Sequence, residues 1–180
     1  AIACQKNTQP VQKITIVPRT MGSLGYTMQM PEEERYLMTK DEMLDDITAL
    51  LAGRGAEEII FKNVTTGASN DIERATELAR AMVTRFGMSE TFDMMALEKE
   101  NNMYLNGRTR RTCSDETGAK ADAEVLDIIR KCHKKALDIL NENIDALNKI
   151  AAFLIDEETI SGEKFMEIFD EVKKEREANV

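Results

Sequence analysis

The sequence predicts a mainly α fold of about five helices with a small β hairpin or sheet. Apolar residues recur every three or four positions over long stretches after Thr39, the signature of helices that bury one face. Strand-like patterning is confined to residues 1–38. Only 5% of the residues are aromatic, none is Trp and 11 are Met, which leans toward helices and against an all-β sandwich. A length of 180 residues is enough for one compact domain with its own core.

Within that single domain, residues 1–38 read as a β-containing edge region, 39–90 as helical, 91–118 as a long mobile loop and 119–180 as C-terminal helices. Ala1–Cys4 (AIAC) reads as the apolar tail of a helix. Lys13–Val17 (KITIV) and Gly25–Met30 (GYTMQM) carry β-branched or alternating apolar positions. Pro18, Gly22 and Gly25 separate them, so a hairpin or sheet edge is expected. Thr39 and Glu42 form a capping-box pattern ahead of Met43, Leu44, Ile47, Leu50 and Leu51, which predicts a helix with Gly53 and Gly55 near its end. From Asp71, the spacing of Ile72, Ala75, Leu78, Ala79, Met82, Val83 and Phe86 predicts a second helix, with Gly87 as its stop. Residues 89–118 are polar and aperiodic, hence the loop. Val125, Ile128, Ile129, Cys132, Ala136, Ile139 and Leu140 define a long stripe that Ile144, Leu147, Ala151 and Leu154 continue beyond Asn141 and Asn143, as one bent helix or as a pair. Ser161 can cap a last helix bearing Phe165, Ile168, Phe169 and Val172, which fades into a charged tail.

Charge narrows the partners. Asp and Glu (33) exceed Lys and Arg (24), and a net charge of −9 repels a phosphate backbone, so nucleic acid is not expected as a partner. Arg108, Arg110 and Arg111 form the nearest approach to a basic patch and read as a solvated loop. The cysteines, Cys4, Cys113 and Cys132, are odd in number and lack CxxC spacing, which points to a reducing compartment rather than to a disulfide framework or thiolate zinc site. No apolar run approaches the roughly 20 residues needed to cross a bilayer, so no transmembrane segment is expected and the chain reads as soluble.

The segment Thr65–Asp71 (TTGASND) is the strongest chemical signal. Asp71 stands where a helix begins, behind small or turn-prone residues, Gly67, Ala68, Ser69 and Asn70, that let the backbone approach another group closely. On position alone, a carboxylate there serves the free amides and the helix dipole. The longer run TTGASNDIERATELARAMVTRFGMSE, together with KITIVPR, LGYT, LAGRGAEEIIF and EETISGEKF in the same order, resembles the peptidase domain of the FtsH-type ATP-dependent zinc metalloproteases. The resemblance implies that Asp71 is a zinc ligand, with residues 39–90 bearing the zinc-carboxylate motif. It also implies that Glu57 can orient a zinc histidine from outside the ligand set; a solvated pair, Glu57 and Glu58, at the end of the helix is the competing reading. Ile14, Thr15 and Ile16 then belong to a strand that could pair with extended substrate backbone; an ordinary core strand is the competing reading.

The HExxH helix that defines such proteases, whose histidines bind zinc and whose Glu activates water, is absent. Ala1–Cys4 look like the residues that follow its second His, so the chain is expected to begin just after the motif and to be inactive alone. No catalytic residue is assigned within it. His133, the single histidine, lies among Lys131, Lys134 and Lys135 and reads as a surface residue, while Met82 reads as core filling. The roles of Met88, Met94, Met95 and Met103 stay open.

The function implied by the resemblance is part of an ATP-dependent zinc metalloendopeptidase that degrades unfolded and membrane proteins. Its parent would be a membrane-anchored homo-hexamer with this domain in a cytoplasm-like compartment, and with ATP and magnesium in a separate ATPase domain. The alternative is a catalytically degenerate module that keeps the fold for scaffolding or oligomerisation.

Overall fold

Thr39 opens the first long helix by the reciprocal bonding its sequence predicts. Its hydroxyl accepts from the Glu42 amide at 3.2 Å, while its own amide donates to the Glu42 carboxylate at 2.6 Å. This helix, α1 (Lys40–Phe61), runs through both Gly53 and Gly55 and ends only at Lys62, whose φ of 51° is left-handed. Each glycine costs about 1 kcal/mol of helix propensity relative to alanine. Strong helix formers around them (Ala52, Ala56, Glu57, Glu58) and the burial of Leu51, Ala52 and Gly55 outweigh that cost.

The computed structural model describes residues 1–18, 25–29, 37–100 and 109–178, which fall into two compact units, 38–137 and 1–37 with 138–180. Gly22, Met30, Met103 and Arg108 lie outside the described residues.

In the first unit α1 packs with α2 (Ser69–Thr84) and with α3 (Asp115–Glu142), whose last turns belong to the second unit. The core joins Met43, Ile47 and Leu51 of α1 to Ala75, Ala79, Met82 and Val83 of α2 and to Ala121, Val125 and Cys132 of α3. Ala75 and Ala79, one turn apart and without exposed surface, leave α2 a smooth face for close helix contact, and Met82 is fully buried as a core filler. Gly87, at φ 62°, takes the left-handed position just beyond α2.

Within the stretch expected as a loop, β3 (Glu98–Glu100) and β4 (Thr109–Arg111) pair antiparallel. Leu97, 1% exposed, donates its amide to the Thr84 carbonyl at 2.8 Å and so ties this hairpin to the end of α2. The α3 helix starts at Asp115, where the Ser114 hydroxyl accepts from the Thr117 amide at 3.2 Å.

In the second unit β1 (Val11–Thr15) is the middle strand of an antiparallel sheet, between β2 (Tyr26–Gln29) and β5 (Thr159–Ser161). Ile14 faces Thr27 on one side and Ile160 on the other. The long apolar stripe breaks at Asn143, which separates α3 from α4 (Ile144–Glu157), so the pair is observed rather than one bent helix. The Asn143 side-chain amide donates to the Ile139 carbonyl at 2.8 Å. The Ser161 hydroxyl accepts from the Lys164 amide at the start of α5 (Gly162–Ala178), and Phe169 and Val172 of that helix pack on Ala146. Ile2–Cys4 form a single 3-10 turn.

Candidate functional site

The TTGASND segment is a turn with a fixed start and a buried middle. After α1 leaves through Lys62, a 3-10 turn over Thr66–Ala68 leads directly into α2, and Asp71 falls in the first turn of that helix. Ala68 is 7% exposed and pins the turn to the fold. Asp71 is half-buried, and its carboxylate makes no hydrogen bond or ion pair with any described residue.

The start of the turn is held by α1. The Thr65 hydroxyl donates to Glu57 Oε1 at 2.5 Å, its amide donates to Glu57 Oε2 at 3.1 Å, and its carbonyl accepts from Arg54 Nη2 at 2.8 Å. The same hydroxyl accepts from the Gly67 amide at 3.1 Å. Arg54 and Glu57, three residues apart on one helix face, approach to 3.7 Å with side chains only 18% and 21% exposed. The Thr65 hydroxyl, then the Thr65 amide, and lastly the positive charge of Arg54 hold the Glu57 carboxyl below the usual glutamate range. Glu57 thus meets the motif at its first residue, which its place in the sequence does not reveal. Arg54 and Thr65 were not singled out by sequence reasoning. The three-residue spacing of Arg54 and Glu57 was readable, but the eight-residue return from Glu57 to Thr65 was not.

The remaining candidates divide. Ile14 and Thr15 are in β1, whose two edges are both occupied over residues 13–15, so a further strand could join there only by displacing β2 or β5. Thr15 is 5% exposed, and its hydroxyl donates to the Glu158 carbonyl at 3.2 Å. Ile16 lies just past the strand and donates its amide to the Glu158 carbonyl at 3.0 Å. His133 faces α1, with Nε2 3.3 Å from Glu58 Oε2. Met94 and Met95 are exposed, and Met88 packs against the core. Among the described residues no group of three or more His, Cys, Asp or Glu side chains could hold a metal ion, and all three cysteines are free thiols. No helix among the described residues is long and apolar enough to cross a membrane.

The profile of peptidase family M41 matches residues 1–168. This chain belongs to peptidase family M41. Over 178 residues it is 58% identical to an ATP-dependent zinc metalloprotease FtsH of Clostridium perfringens, which covers 98% of this chain and 25% of that protein. An enzyme of the same name from Lancefieldella parvula is 53% identical over 92% of the chain and 26% of the relative. The one from Thermotoga maritima is 45% identical over 92% of the chain and 28% of its own length. The chain therefore spans about a quarter of the length of the curated relatives it matches. The described residues of this chain do not by themselves complete a zinc site.

Proposed function

We propose that this chain is the peptidase-domain part of an ATP-dependent zinc metalloendopeptidase, in which Asp71 is one protein ligand of the zinc. The observation that carries the reading is the placement of Asp71 in a chain of family M41. An uncommitted carboxylate stands in the first turn of α2, behind a turn bonded to α1. The names of the relatives, each an ATP-dependent zinc metalloprotease, support the reaction class.

In this reading the remaining ligands are two histidines of an HExxH helix, supplied from outside the 180 residues of this chain. Zinc, when bound, supplies a Lewis acid for water and for the peptide carbonyl. The chain's own residues fix one oxygen donor: Arg54 and Glu57 hold Thr65, the turn holds the start of α2, and α2 presents Asp71. Alone, the chain is expected to bind zinc weakly and to cleave no peptide, because Asp71 and a His133 turned toward Glu58 are too few ligands. ATP and magnesium belong to a separate ATPase domain of a membrane-anchored homo-hexamer that acts on unfolded and membrane proteins. Extended substrate backbone would pair with Ile14, Thr15 and Ile16 only on displacement of β2 or β5, which occupy both edges of β1 over residues 13–15.

The test is casein cleavage with zinc by a protein in which an HExxH-bearing helix precedes Ala1, comparing the parent with Asp71→Ala. Cleavage by the parent and none by the variant is expected. Equal cleavage by both would sink the ligand assignment, and no cleavage by either would favour a degenerate scaffold.

A further inference from the structure

We propose that Arg54 is a positioning residue for the metal ligand Asp71, an inference that rests on the zinc reading above. Thr65 is the point from which the chain turns toward Asp71, and all its polar atoms are engaged. Its carbonyl is held by Arg54, its amide by Glu57, and its hydroxyl by both Glu57 and the Gly67 amide. Both oxygens of Glu57 are directed at this one residue. Arg54 contributes twice, as the donor to the Thr65 carbonyl at 2.8 Å and as the counter-charge 3.7 Å from Glu57.

A guanidinium suits that double task because its planar fork offers several donors in fixed directions, whereas an ammonium is a single point charge. The platform is rigid, since α1 is anchored in the core by Met43, Ile47 and Leu51. From Thr65 the chain passes through one 3-10 turn and the first turn of α2 before Asp71, with Ala68 buried on the way. The Gly67 bond to Thr65, the 3-10 turn and the first turn of α2 link the backbone at Thr65 to that at Asp71. Metal affinity is sensitive to groups that orient a ligand, and their loss typically weakens binding by about 10–100-fold.

The experiment measures zinc affinity by chelator competition, and amide exchange over residues 62–71, in the protein carrying an HExxH-bearing helix ahead of Ala1 and in its Arg54→Ala, Arg54→Lys and Asp71→Ala variants. Asp71→Ala is expected to abolish tight zinc binding. Arg54→Ala should bind zinc about 10–100-fold more weakly and exchange faster across the turn, with its helical circular dichroism unchanged. Arg54→Lys should fall between it and the parent. Parental zinc affinity in Arg54→Ala, even with a lowered Tm, would mark Arg54 as structural only and overturn the proposal. Should Arg54→Ala fail to fold, Arg54→Lys decides: weakened zinc binding supports the proposal and parental affinity overturns it. Zinc retained by Asp71→Ala would instead defeat the zinc reading itself, and this proposal with it.

Discussion

Replacing Thr65 by Val removes one oxygen from the turn and keeps the side chain's shape. That oxygen donates to Glu57 at 2.5 Å and accepts from the Gly67 amide at 3.1 Å, so the substitution breaks two bonds that start the path to Asp71. The Gly67 bond is worth about 0.5–1.5 kcal/mol net, so its amide should exchange about 2- to 12-fold faster in the variant. Thr65 also caps the 3-10 turn. Loss of a capping threonine costs about 0.5–2 kcal/mol, and in a chain of this size each kcal/mol lowers Tm by about 2–4 °C. Amide exchange read by NMR at Gly67, alongside a melting curve, measures both effects. Thr65→Ser keeps the hydroxyl and should stay close to the parent. Unchanged Gly67 protection in Thr65→Val, or equal loss in Thr65→Ser, would refute the reasoning.

Glu57 has a folded pKa below its unfolded value, so its bond to Thr65 contributes fully above the usual glutamate range and is lost as pH falls through the lowered value. The Thr65 amide proton, followed by NMR, should shift in that acid window in the parent and not in Glu57→Gln. Gly162→Ala would put a Cβ 2.1 Å from the Val11 carbonyl oxygen, a backbone atom of β1, and should cost about 1–3 kcal/mol or more in urea unfolding. Gly53→Ala meets nothing within 4 Å in the interior of α1 and should gain about 1 kcal/mol, so opposite signs for the two glycines are the check. His133→Ala should leave unchanged the zinc content of the protein in which an HExxH-bearing helix precedes Ala1, because the ring faces Glu58; loss of zinc would show that it is a ligand.

The helical fold was legible wherever one face carried a long periodic stripe. The Thr39 capping box, the α2 face from Ala75 to Val83 and the α5 face around Phe169 were readable because each rests on residues within a turn or two. The strands β3, β4 and β5 were not, since three residues give too few alternations to read and their pairing depends on distant partners. The end of α1 was placed too early because glycine propensity is a local signal, while the packing that carries the helix past Gly55 is not. At the site, Asp71 stood out through the family resemblance rather than through its spacing. The Arg54–Glu57–Thr65 clasp stayed hidden because its last step is a return of the chain onto α1.

The most direct measurement is the zinc content, by elemental analysis after dialysis, of a protein in which an HExxH-bearing helix precedes Ala1 and of its Asp71→Ala variant. Stoichiometric zinc in the parent and its loss in the variant is the expected result. Stoichiometric zinc in both would contradict the assignment of Asp71 as a ligand.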